Sequence, residues 1–256
     1  CALVVAVVAC LALVAGGVAL ALGSSSGDDD DAAGESASPA GEGEPAGELA
    51  ADASPAEAFA HAAAVLDEAG TFSYEATSRV EGPDPAGGSA TIAFDRDLTG
   101  DVVLPDAVRE TIDDPDGLYT ERISIGTDTA LRSWVRDTAY PDQIDERPWG
   151  EFDSSAGELE LYLLPDWLEG AVDHRDVGED ANARRVVEAS IPAALINDLG
   201  PEVVIIDAAV ELTLDGEGVP HRVAIDVSTS DTVIEASYRL TDLGGELAVE
   251  RPRADQ

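Results

Sequence analysis

Few residues of this chain are of the kinds that do chemistry, and their spacing narrows the choice further. Cys1 and Cys10 both lie in the first apolar run, so the rest of the chain offers no disulfide, thiolate nucleophile or thiolate metal ligand. Cys10 closes the box Val7-Val8-Ala9-Cys10, which fits a lipoprotein cleavage site at which the cysteine is acylated. His61, His174 and His221 stand far apart, without ligand spacing. Asp28 to Asp31 reads as a solvated charge run rather than a calcium cluster. Asp114-Pro115-Asp116-Gly117 misses the calcium-loop template because Glu121 comes too early. No nucleophile elbow, phosphate loop or metal-binding helix motif occurs, and among 53 Asp and Glu no catalytic carboxylate pair stands out. The expectation is no enzyme, no metal and no cofactor. What remains is apolar chemistry: Trp134, Trp149 and Trp167, and the side chains Leu159, Tyr162, Leu163, Leu164 and Leu168.

Charge excludes one class of partner. Fourteen basic residues, all arginine, face 53 acidic ones, for a formal net charge of −39. Such a surface repels phosphate backbones, so nucleic acid is not expected as a partner, and it repels anionic lipid headgroups as well.

The elements that must position these residues follow in chain order. Ala2 to Leu22 is uninterrupted by charge and as a helix would extend about 31 Å, enough to cross a bilayer core. Two readings compete, a single transmembrane anchor and a secretion signal ending at Cys10. Leu11 to Leu22 stays apolar after Cys10, which favours the anchor and disfavours lipidation; the protein would then sit in the cell membrane with a single span. Residues 23–55 are Ser, Gly, Ala, Pro and acids, with no basic or aromatic residue, and read as a disordered acidic linker. Order begins at Ser54-Pro55-Ala56-Glu57, an N-cap, a proline in the first turn and an acid, ahead of an apolar stripe Phe59, Ala62, Ala63, Leu66 ending at Gly70.

From Thr71 onward the period changes to two. Phe72, Tyr74, Ala76 and Val80 share one face of a strand; Ile92 and Phe94 mark a second, which Asp101 to Leu104 continues. Arg109 to Ile112, Leu118 to Ile125 and Ala130 to Val135 are further strands, the last two joined by Gly126-Thr127-Asp128. Ser155 to Leu168 breaks the pattern. Leu159, Tyr162 and Leu163 fall on one helical face, Pro165 interrupts, and the segment is more apolar than a surface helix between strands should be. Strands resume at Val172 to Val177 and Ala183 to Ile191, and Pro192 to Gly200 is a short helix or turn. Val210, Leu212 and Leu214 then alternate up to Asp215-Gly216-Glu217-Gly218, where both glycines are expected at positive φ. Val223, Ile225, Val227 and then Ile234, Ala236, Tyr238, Leu240 repeat the alternation. Gly244-Gly245 leads to an expected last strand, Glu246 to Val249. Short intervals without helical crossovers argue an antiparallel sheet with one apolar face.

The segment Leu212-Thr-Leu-Asp215-Gly216-x-Gly218-x-Pro220-His-Arg222-Val223, followed by Leu240-Thr-Asp-Leu-Gly244, resembles the C-terminal half of the LolA-like lipoprotein carriers, most of all the LppX/LprG-type lipoproteins. Trp134 to Tyr140 followed by Arg147-Pro148-Trp149 is similar to the central hairpin of that superfamily. The resemblance covers residues 56–252. It implies an α+β, mainly antiparallel fold: a curved half-barrel sheet with helices over its concave face, holding acyl chains in the cavity. It makes Ser155 to Leu168 a hydrophobic lid, with Leu159, Tyr162, Leu163, Leu164, Trp167 and Leu168 facing the cavity and Trp134 and Trp149 at its wall or rim. Ordinary core packing is the competing role for each. The implied partner is a lipid or acylated ligand, bound by an extracytoplasmic domain tethered to the membrane. The alternative is a sensor of the same fold that meets a protein partner at the membrane.

Overall fold

The computed structural model describes residues 47–83, 91–114, 117–126, 128–136, 144–146, 149–153, 161–196 and 204–252. The expected anchor, Cys10, Asp28 to Asp31 and Leu159 lie outside them.

The first helix, α1 (Pro55–Ala69), is set at both ends by its sequence. The Ser54 side chain accepts the Glu57 N–H, the Glu57 carboxylate accepts the Ser54 N–H at 2.6 Å, and Gly70 closes the helix at φ 67°. Its buried stripe is Ala58, Phe59, Ala62, Ala63 and Leu66.

Among the described residues, twelve strands form one sheet. The first wing is β1 (Thr71–Pro83), β2 (Thr91–Val103), β3 (Ala107–Asp113), β4 (Leu118–Ile125), β5 (Asp128–Arg136), β6 (Ile144–Glu146) and β7 (Gly150–Asp153), the last two both paired to β5. The second wing is β8 (Val172–Glu179), β9 (Arg185–Ser190), β10 (Ile205–Leu214), β11 (Pro220–Thr229) and β12 (Val233–Thr241). The pairs from β1 to β6 and from β8 to β12 are sequential and antiparallel, β7 returns to β5, and β1 pairing antiparallel with β12 joins the wings. The sheet is open and curved, the α+β arrangement expected from the resemblance.

Register decides which residues share a face, because directly opposed residues point the same way. Tyr74 lies opposite Gly100 and Leu240, Gly100 opposite Glu110, and Glu110 opposite Arg122. These residues, with Phe72, Val102, Val108, Val210, Leu212, Val223, Ile225 and Tyr238, belong to the concave face that α1 covers. Between the wings a 3₁₀ turn (Leu161–Leu163) runs into α2 (Leu164–Glu169), which packs on α1.

Three local expectations differ from the structure. Glu246 to Val249 is not a strand. After Gly244 donates its N–H to the Thr71 carbonyl, the chain leaves the ladder and Arg251 reaches Asp128 at the start of β5, so the segment crosses strand ends and has no neighbour to pair with. In the β10–β11 turn only Gly218, at φ 85°, takes a positive φ; the Asp215 carboxylate accepts the N–H groups of Glu217 and Val219 and holds the turn without help from Gly216. Pro165 does not interrupt a helix. It sits in the first turn of α2, where its missing N–H costs nothing.

Candidate functional site: the concave face and its helical cover

The cover is anchored by its own apolar residues. Leu161, Leu164, Trp167 and Leu168 are fully buried in one cluster with Phe59, Leu66 and the concave strands. The Trp167 indole N–H donates to the Leu195 carbonyl at 2.9 Å, satisfying its polar end. Leu195 also lies over Gly170, where an added Cβ would come within 2.3 Å of its Cδ1. Tyr162 and Leu163 differ from these four: they are partly buried, at the margin of the cluster. The expected lid residues thus divide into a packed root and an edge.

Away from the helices, the concave face continues as apolar surface. Val80 lies opposite both Phe94 and Ile234, and Gly82 opposite Ile92. All four apolar side chains are only half-buried, unlike Phe72, Val102 and Leu240 on the same strands. The face therefore passes from dry core at the Thr71 end to partly accessible apolar surface at the Pro83 end. At the margin of that surface the Arg96 guanidinium sits 4.6 Å from the Phe94 ring and pairs with Asp114 at 2.8 Å.

Beside it lies a buried polar cluster that sequence reasoning missed. The Tyr74 hydroxyl donates to Glu110 Oε1 at 2.5 Å, and Arg122 pairs with Glu110 Oε2 at 3.2 Å. Glu110 and Arg122 are 3% and 5% exposed. Burial first, then the Glu110 charge, pushes the Tyr74 hydroxyl well above the usual tyrosine range, so it stays a donor. A buried carboxylate with a guanidinium and a phenol on its two oxygens is stable as a unit, and removing one partner would leave a charge unpaired. Glu110 falls two residues from Val108 and Ile112 on the buried face; that parity was the available signal.

Trp134 and Trp149 are on the other side of the sheet. Trp134 lies opposite Tyr119, and Arg132 opposite Glu121, on the convex surface. The Arg132 guanidinium lies 5.4 Å from the Trp134 ring and 5.1 Å from the Trp149 ring. The reason is parity: Leu131 and Ser133 take the concave side of β5, so Trp134 cannot. Of the histidines, His174 meets the edge of Phe59 at 5.1 Å, and His61 packs near Gly218. Burial, then Arg184 and Arg239, hold His221 below the usual imidazole range. Among the described residues no group of three His, Cys, Asp or Glu could hold a metal ion, and no helix is long and apolar enough to cross a membrane.

No protein-family profile and no curated protein matches this sequence. Among solved structures, the chain is similar to the Mycobacterium tuberculosis lipoprotein LppX, at 16% identity and a TM-score of 0.41, over 76% of this chain and 99% of that one. It is also similar to a putative outer membrane lipoprotein-sorting protein domain from Vibrio parahaemolyticus, at 10% identity and a TM-score of 0.27, over 76% and 93% of the two chains. A third similarity is to the Pseudomonas aeruginosa MucA/MucB complex, at 17% identity and a TM-score of 0.32, over 74% and 56%. The architecture described above is an open, curved antiparallel sheet with helices on one face, the α+β half-barrel class of fold.

Proposed function

We propose that the domain binds a lipid or another acyl-bearing ligand on the concave face, without catalysis, while tethered outside a membrane by the segment Ala2 to Leu22. The observation that carries this reading is the half-buried apolar group Val80, Ile92, Phe94 and Ile234, continuous with the core yet not sealed like it. An alkyl chain laid there loses water at about 0.8 kcal/mol per buried methylene, so one chain of ordinary length suffices for firm binding. Tyr162 and Leu163 form the adjustable edge of the cover, and Leu164, Trp167 and Leu168 hold its root. Arg96 and Asp114 offer polar contacts to a head group at the margin.

A second reading, a protein-binding or sensing module, is favoured by one observation. Val204, Ile206 and Val233 are exposed, Ile206 by 69%, and share the Pro83 end of the sheet. Native mass spectrometry of the full chain purified from membranes separates the two. A co-purifying lipid, lost after organic extraction, is the expected outcome. A ligand-free protein that takes up no alkyl-chain probe would move the assignment to the interaction module.

A further inference from the structure

The convex face carries an aromatic and ion-paired surface that the lipid reading does not use. The chain has three tryptophans, five tyrosines and four phenylalanines, yet two of the tryptophans and Tyr119 lie half-buried on the convex side of the sheet rather than in the concave core. They form a ladder. Tyr119 stacks on Trp134 with ring centroids 5.9 Å apart and planes 12° from parallel, and the Arg132 guanidinium lies against both Trp134 and Trp149. Arg109 donates to Glu121 Oε1 at 2.7 and 2.8 Å and Arg132 to Oε2 at 3.3 Å, so one buried carboxylate locks two guanidinium groups in place.

Beside the ladder, under the C-terminal strap, is a groove of about 690 Å³ lined by Arg109, Glu121, Arg132, Glu250 and Arg251 together with Trp149. Its volume suits a small organic ligand.

We propose that this groove binds a neutral oligosaccharide. A pyranose has an apolar C–H face that packs on an indole, and a rim of hydroxyls that each donate and accept. The groove supplies the matching parts: the Trp149 indole, guanidinium groups that only donate, and the Glu250 carboxylate as acceptor beside Glu121, which is already engaged by Arg109 and Arg132. Charge selects against the alternatives. A polyanion approaching this chain meets a net charge of −39, while the groove itself balances Arg109, Arg132 and Arg251 against Glu121, Glu250 and Asp128 and so leaves little charge to hold an ion of either sign. A neutral sugar needs no such charge, and the stacked, ion-paired arginines are already oriented for it.

The test uses the full chain against short neutral glucans, mannans and galactans, together with uronic-acid oligosaccharides, followed by calorimetry on any sugar bound. One neutral class should bind, with an affinity nearly constant from about 0.01 M to about 1 M salt. Trp149→Ala should weaken it by about tenfold or more through loss of the stacking plane. Arg251→Gln, on the exposed strap, should weaken it without unfolding, and covers the case in which the tryptophan variant does not fold. The proposal is overturned if no neutral sugar binds folded protein, or if both variants bind as well as the parent. Preference for the uronates, with affinity collapsing as salt is added, overturns it too.

Discussion

Leu163→Trp separates a ligand-holding edge from a plain core. Leu163 is partly buried beside Tyr162, whereas its neighbour Leu164 is fully buried between α1 and the concave strands. If Tyr162 and Leu163 edge a ligand-holding space, an indole at residue 163 occupies room that a ligand chain would use. Displacing three or four methylenes of contact removes about 2–3 kcal/mol of binding, close to two orders of magnitude in affinity. The cost in stability should stay under about 1 kcal/mol, a shift of Tm of roughly 2–4 °C for a chain of this size. Leu164→Ala is the control: it opens a cavity in dry core and should cost about 2–5 kcal/mol. The assays are displacement of an alkyl-chain fluorophore and urea denaturation on the same preparations. If Leu163→Trp leaves affinity unchanged and costs the 1–3 kcal/mol typical of overpacking, the edge is core and the ligand-binding role of the cover is refuted.

Three further outcomes are expected. Burial first, then Glu235, Glu211 and Glu188, hold the Asp226 carboxyl above its usual range. Its raised folded pKa means that its contribution to stability is whole below the unfolded pKa and is lost as pH rises through the folded value. Asp226→Asn should therefore raise Tm at neutral pH by the equivalent of about 0.2–1 kcal/mol, a gain that vanishes in acid; equal gains at both pH values would contradict it. Mutual repulsion across a chain of net charge −39 should make Tm climb between dilute buffer and molar salt, and a flat profile would count against it. Gly100→Ala should destabilise by about 1–3 kcal/mol, since its Cβ would lie 2.5 Å from the Tyr74 hydroxyl and 2.7 Å from the Arg109 carbonyl; a neutral effect in urea denaturation would refute this close approach of Tyr74 and the β3 backbone to Gly100.

Local pattern was enough for the elements. The capping box at Ser54 and Glu57, the stop at Gly70, and the alternation of Phe72, Tyr74, Ala76 and Val80 each depend on neighbours within a few residues, and each appears where the sequence puts it. The same holds for Val210 to Leu214, Val223 to Val227 and Ile234 to Leu240. Alternation also carried the antiparallel class, because sequential strands at short intervals have no room for a crossover. It did not carry the fate of Glu246 to Val249, since a strand needs a partner edge and the tail crosses the strand ends instead.

Tertiary structure decided the rest through register and cover. Trp134 and Trp167 are both large aromatics, yet one stacks on Tyr119 on the convex face and the other bonds to Leu195 in the core. Nothing in either local sequence tells which face of a distant strand will be opposite. Val80, Ile92 and Phe94 read as buried-face residues, and they are on that face; only the reach of α1 and α2 leaves them half-accessible while Phe72 and Val102 are sealed. Glu110 and Arg122 are ordinary charged residues until the β3–β4 register sets them opposite each other under Tyr74. Sequence determines what each residue prefers to bury. Which preferences are met, and which are left open to a ligand, depends on contacts between residues far apart in the chain.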